Sequence, residues 1–150
     1  MRIGFCSLIG FLGVMALAAQ DGPNKAAPKR FGIAANLKTY PQAAPKEALA
    51  SLLKALDAKR VDYILAQLAD PEWVDRRVKE TDGGFAALIQ ESASRLTGDP
   101  SLVKRLKKLG SDGEWKIEAD TASVRLKDMD EESLFFRKSE GRWYVENRKK

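Results

Sequence analysis

Asp62 and Tyr63 are the side chains best placed to do chemistry. A carboxylate serves as a general base once its surroundings raise its pKa, and a phenol serves as a hydrogen-bond donor. Asp62 falls beside the apolar stripe Val61, Ile64, Leu65 and Leu68. On a helix that position either faces a cavity or stands in solvent as an ordinary carboxylate. Other chemistry is narrowed by composition. The sequence has no histidine and a single cysteine, Cys6. Ser-His-Asp and Cys-His hydrolysis both need an imidazole base and are excluded. A Cys/His zinc site is excluded with them. Carboxylates, Lys, Tyr or a Ser/Lys pair remain. The acidic turn Asp128, Asp130, Glu131 and Glu132 has no calcium-loop spacing and no glycine at its bend, so neither a metal nor a cofactor is assigned.

Binding residues are a separate question. Trp73, Trp115, Phe136, Trp143 and Tyr144 could line an apolar ligand pocket between helices and sheet, or simply fill a core. Leu134-Phe135-Phe136 places three apolar residues in a row. A strand of that kind is contacted on both faces, or leaves one large side chain at a binding edge, which makes Phe135 the interaction candidate. Asp75, Arg76, Arg77, Lys79 and Glu80 mix signs as a wet helix face does.

The elements that must position these residues read in two blocks. Pro45 opens a first helix with Glu47 in its first turn, and Leu49, Leu52, Leu53 and Leu56 form one stripe. Val61 to Leu68 makes a second, short helix. Asp70-Pro71 caps and starts a third, through about Lys79, with Trp73, Val74 and Val78 inward. Phe85, Leu88, Ile89 and Leu96 mark a fourth, stopped by Gly98. Asp99-Pro100 starts a fifth, with Leu102, Val103, Leu106 and Leu109 inward, Lys104, Arg105, Lys107 and Lys108 outward, and Gly110 as its end. From Glu114 onward the pattern alternates. Trp115, Ile117 and Ala119 form one apolar run, and Ala122, Val124 and Leu126 another, with Asp120 bending or bulging the chain between them. Lys127 to Glu131 reads as a polar turn, Ser133 to Lys138 as a strand, and Ser139-Glu140-Gly141 as a bulged hairpin loop before Arg142 to Asn147. The expected fold is α+β: about five short N-terminal helices on one face of a C-terminal antiparallel sheet of three to four strands.

Met1-Arg2 followed by the apolar run Ile3 to Leu17, with Ala16-Leu17-Ala18 as a small-x-small site, reads as a secretory signal peptide over residues 1–18. Its cleavage would remove Cys6. The rival is an uncleaved anchor, for which the run is short and interrupted by glycines. Residues 19–44 read as linker and arm: Gln20 to Arg30 flexible, and Phe31 to Gln42 an extended arm packing on the domain through Phe31, Ile33, Leu37 and Tyr40. Residues 45–150 form one domain. Among 150 residues, 44% hydrophobic and 31% charged are globular values, and the net charge of +5 is modest. The basic clusters Lys25 to Lys46 and Arg148-Lys149-Lys150 read as solvated, with weak attraction to an anionic surface as the sharper alternative. Nucleic acid is not expected as a partner of an exported chain.

The order of these pieces resembles the nuclear transport factor two-like superfamily, the cone-shaped fold shared with ketosteroid isomerases. The resemblance rests on Pro45-Lys46-Glu47-Ala48-Leu49 with Leu52-Leu53 and Ala55-Leu56, on Asp62-Tyr63-Ile64, on Asp120-Thr121-Ala122-Ser123-Val124, and on Gly141-Arg142-Trp143-Tyr144-Val145. The segment Tyr40-Pro41-Gln42 is also similar to one found in a group of exported bacterial proteins. The chain departs from the pattern in its extra helical sequence between Asp70 and Gly110. The resemblance implies either a binding domain or an isomerase or dehydratase. The isomerases' triplet of Tyr/Asp donors and Asp base has no residue-by-residue counterpart here. The expectation is therefore an exported, non-catalytic domain, periplasmic or secreted, that binds a protein or cell-envelope partner, with a homodimer as one form. The alternatives are a carrier of a small apolar ligand in a cone pocket, and a lyase or isomerase using Asp62 and Tyr63.

Overall fold

The computed structural model describes residues 28–127 and 129–148, with backbone alone for 129–132. Residues 1–18, read from the sequence as a signal peptide, residues 19–27, read as linker, Asp128 and Lys149-Lys150 lie outside the described residues, as do the side chains of Asp130, Glu131 and Glu132.

Helix α1 (Pro45–Asp57) starts where its sequence signals it. Proline at the first position loses no hydrogen bond, and the Glu47 carboxylate accepts from the Ala43 and Ala44 amides at 2.9 and 3.2 Å. Helix α2 (Val61–Tyr63) runs directly into a π-helical turn, Ile64–Leu68, closed by the Ala69 amide donating to the Ile64 carbonyl at 2.8 Å. The wide turn buries all five of its residues, Gln67 included. Asp70 caps α3 (Pro71–Glu80) and Asp99 caps α5 (Pro100–Asp112), each accepting from a backbone amide two residues on; α4 (Gly84–Thr97) lies between them. Helix α5 does not stop at Gly110. The helix runs on through that residue to Asp112, since a glycine ends a helix only where the backbone turns out of the helical conformation. Gly113 ends it instead, at a point so close to Val124 and the Leu109 carbonyl that any Cβ would clash.

Four antiparallel strands follow in sequential order: β3 (Glu114–Ile117), β4 (Thr121–Leu126), β5 (Met129–Ser139) and β6 (Arg142–Glu146). The fold is α+β, with helices first and this sheet last. Strand β5 begins at Met129, inside the stretch read as a turn; a register shift between Arg125 and Leu126 absorbs the extra residues. The β5–β6 turn holds two residues rather than a bulged loop, because Glu140 and Gly141 both take positive φ (49° and 77°) and Ser139 pairs with Arg142. Ile117, expected inward beside Trp115, is 52% exposed, because the helical layer leaves that corner of the edge strand uncovered.

One apolar cluster joins α1, the π turn and α5 to the inner sheet face, around Leu49, Leu68, Val124, Phe136 and Trp143. Phe136 is fully buried, worth about 2–3 kcal/mol relative to exposure. A second, smaller cluster of Val61, Leu65, Val74 and Leu88 ties the same turn to α3 and α4.

The arm belongs to this unit. Lys29–Arg30 (β1) and Ile33–Ala34 (β2) pair around Phe31 and Gly32, so the segment expected as linker up to Arg30 already carries a strand. Tyr40 is buried against Tyr63, ring centroids 4.4 Å apart. Arg30 and Asn36 reach the helical layer at Ala66, Pro71, Asp75 and Tyr63, and a second group of polar contacts centres on buried Gln42 and Gln67. Gln42 Nε2 donates to the carbonyls of Gln67 (2.9 Å) and Trp143 (2.8 Å), and the Trp143 amide donates back to the Gln42 carbonyl at 2.9 Å. Gln67 Nε2 donates to the carbonyls of Ile33 (2.7 Å) and Pro28 (3.2 Å), and its Oε1 accepts from Arg142 at 3.1 Å. Gln42 Oε1 is buried without a partner among the described residues, a cost set against the bonds its amide makes.

Gln67→Leu keeps the volume but strips partners from Arg142, Ile33 and Pro28. We expect a loss of roughly 2–4 kcal/mol in urea unfolding. Amide exchange across residues 28–42 should rise more than exchange in β4 and β5. Equal protection of the arm in the variant would show that the network does not hold it.

Candidate functional site

A cleft of about 790 Å³ runs between the helices and the inner sheet face. It lies along the seam between the two apolar clusters. Leu52 and Leu56 of α1, Ile64 and Leu106 come from the first; Leu65 and Leu88 come from the second. Leu134 and Val145 close the sheet side. The helical wall is held by the start of α3. There the Asp70 amide donates to the Val145 carbonyl at 2.8 Å, and the Asp70 carboxylate takes Arg137 of β5 at 2.7 Å. This tether places Trp73, Arg76 and Arg77 along the mouth.

The mouth is charged. Arg77 reaches Glu91 at 3.1 Å and Glu80 at 3.6 Å, and Arg95 reaches Glu91 at 3.7 Å. Glu146 is taken by Arg148 at 2.9 Å. Arg76 is exposed and has no hydrogen bond or ion pair among the described residues.

The aromatic residues read from the sequence do not form one wall. Trp73 lines the cleft. Trp143 and Phe136 are buried in the main core, Trp115 sits 5.5 Å from the Phe136 ring at the β3 edge, and none of the three is in the cleft lining. Tyr144 points to the opposite sheet face from Trp143, because neighbours on a strand alternate; it is buried there beside the Arg142 guanidinium, 5.2 Å from its ring, and burial pushes its phenol above the ordinary value. Phe135 shares that outer face and is half-buried, with the Arg148 guanidinium 4.6 Å from its ring centroid. The cleft is lined by leucines that read as ordinary core stripes, and no periodicity distinguishes a leucine facing a cleft from one facing a helix.

Asp62 and Tyr63 are not in the cleft lining. Both Asp62 carboxylate oxygens accept from Arg60, at 2.9 and 3.0 Å, and this holds the carboxyl below the usual carboxylate range, the opposite of what a neutral-pH base requires. The Tyr63 hydroxyl accepts from the Asn36 amide at 2.8 Å, and burial raises its pKa. Its part is to anchor the arm. Among the described residues no three Asp, Glu, Cys or His side chains group to hold a metal, and no helix is long and apolar enough to cross a membrane.

No family model, no curated protein and no solved structure matches this chain.

The Arg60–Asp62 pair is half-exposed, so solvent screens it and it contributes less than about 1 kcal/mol. The folded pKa of Asp62 is depressed, so that contribution is present above the unfolded value of about 3.9 and is lost as pH falls through the folded one. Asp62→Asn should therefore cost less than about 1 kcal/mol at pH 7 and slightly flatten the acid limb below about pH 4. Urea midpoints across pH 2–7 check this, and a large loss at neutral pH would contradict it.

Proposed function

We propose that this chain is an exported, non-catalytic binding domain whose cleft holds a small, largely apolar molecule. The observation that carries the reading is the cleft itself. At about 790 Å³ it has the size of a small-molecule site, with an apolar floor and six charged side chains, Arg76, Arg77, Glu80, Glu91, Arg95 and Glu146, in its lining. A ligand that covers this floor gains about 25 cal/mol for each Å² of apolar surface removed from water. The position, between helices and the inner face of an antiparallel sheet, is where the resemblance to the nuclear transport factor two-like superfamily implies a pocket. Export is supported by the N-terminal pattern of a positive start, an apolar run and a small-residue site.

An isomerase or lyase reading has less support, since Asp62 is paired with Arg60 and lies off the cleft. Partner binding through Phe135 is also weaker, because Arg148 covers that ring.

Native mass spectrometry of the protein isolated from its own host tests the proposal. A reproducible adduct of small mass is expected. Ser92 lines the cleft from α4 and is half-buried, so Ser92→Trp should fill the cleft, abolish the adduct and leave the circular dichroism spectrum unchanged. A protein free of adducts that also fails to bind any apolar probe would overturn the reading.

A further inference from the structure

We infer that the molecule in the cleft is a single-chain amphiphile with an anionic head, its tail on the leucine floor and its head at Arg76. This rests on the reading of the cleft as a ligand site and adds the class of ligand. The charges at the mouth lead to it. Arg77, Arg95, Glu80 and Glu91 neutralise one another, and Glu146 is neutralised by Arg148. Among the described residues one lining charge is left over, the guanidinium of Arg76.

Its natural partners on the helix are engaged elsewhere. On α3 the acidic residues one turn away are Glu72, at i−4, and Glu80, at i+4. Glu72 is drawn across to Arg137 of the sheet at 3.1 Å, as part of the tether that positions α3. Glu80 pairs with Arg77 at 3.6 Å. The contacts that build the wall therefore leave an arginine at its mouth with its charge unanswered. A guanidinium presents a planar fork that matches a carboxylate, sulfate or phosphate with two parallel hydrogen bonds. A cationic head would be repelled there, and a neutral head would gain little. The ligand that satisfies both parts of the cleft is apolar along its length and anionic at one end. We commit to a free, monomeric amphiphile, because the apolar surface on offer is the floor of a cleft between packed elements and not an exposed plane.

The test uses the full chain as its host produces it, stripped of bound small molecules, with decanoate and decanol as probes below their aggregation limits. Calorimetry should show decanoate binding about tenfold tighter than decanol, the contribution of one charge-assisted hydrogen-bonded contact. Arg76→Gln should erase that difference while decanol binding is unchanged, and Arg76→Lys should restore part of it. Ser92→Trp should abolish both. Equal affinity for the two probes in the parent protein would overturn the anionic-head inference and leave the cleft reading standing. So would a decanoate preference that survives Arg76→Gln. Failure of both probes, with Ser92→Trp indistinguishable from the parent, would overturn the cleft reading itself. Binding to vesicles of anionic lipid without binding of monomeric decanoate would replace the free amphiphile with a membrane surface. Probe binding that appears only after Ile3 to Leu17 is removed would make the chain's own apolar segment the occupant.

Discussion

Buried amide groups must find partners, and in this chain that requirement joins segments far apart in sequence. Gln67 sits on a π turn with its side chain inside the protein, where an unpaired amide would cost about 1–3 kcal/mol. Its donors go to the arm at Pro28 and Ile33, and its acceptor goes to Arg142 on the last strand. Gln42 completes the connection by bonding the π turn and Trp143 together. The helical layer, the arm and the final hairpin are thus held by a few polar side chains in a low-dielectric setting, where such bonds are strong and their loss is costly. This explains why Arg142 is tolerated at 9% exposure: Gln67 accepts from it and the Tyr144 ring lies beside it.

The π turn also shapes the cleft. Ile64 belongs to the main cluster and Leu65, its neighbour, to the smaller one. A single turn therefore feeds two apolar clusters that meet without fusing, and the cleft is the seam between them. The Asp70–Arg137 contact keeps α3 on the sheet at one end of the seam. Apart from Ala69 and Asn147, the cleft is lined by residues of helices, the π turn and strands, so its surface is preformed and a bound molecule would not have to order a loop.

Much of the fold was legible from local pattern. The caps at Asp70 and Asp99, the prolines after them, the leucine stripes and the alternation along β4 each state a local preference, and the structure agrees with all of them. The failures occur where a local signal did not decide the outcome. Gly110 has the residue type of a helix end, but the helix continues through it to Asp112. Ile117 fits the inward pattern, but no element covers it. The hairpin at Phe31-Gly32 was missed because its strands are two residues each, too short to show any period.

The sequence by itself determined the order and type of the main elements, the α+β class, and the exclusion of imidazole chemistry, because these depend on residue identity and on spacing within a few positions. Only the tertiary structure decided where the cleft lies and which side chains line it. By type Asp62 fits a base or an ordinary helix carboxylate and Trp143 a pocket wall or a core; in the structure Asp62 is paired with Arg60 and Trp143 is core. Arg76 reads as one charge in a wet helix face, and it stands unpaired among the described residues at the mouth of the cleft because Glu72 and Glu80 are taken by Arg137 and Arg77. Which of several possible partners a charge takes depends on distances between elements, and those are set only when helices and sheet come together.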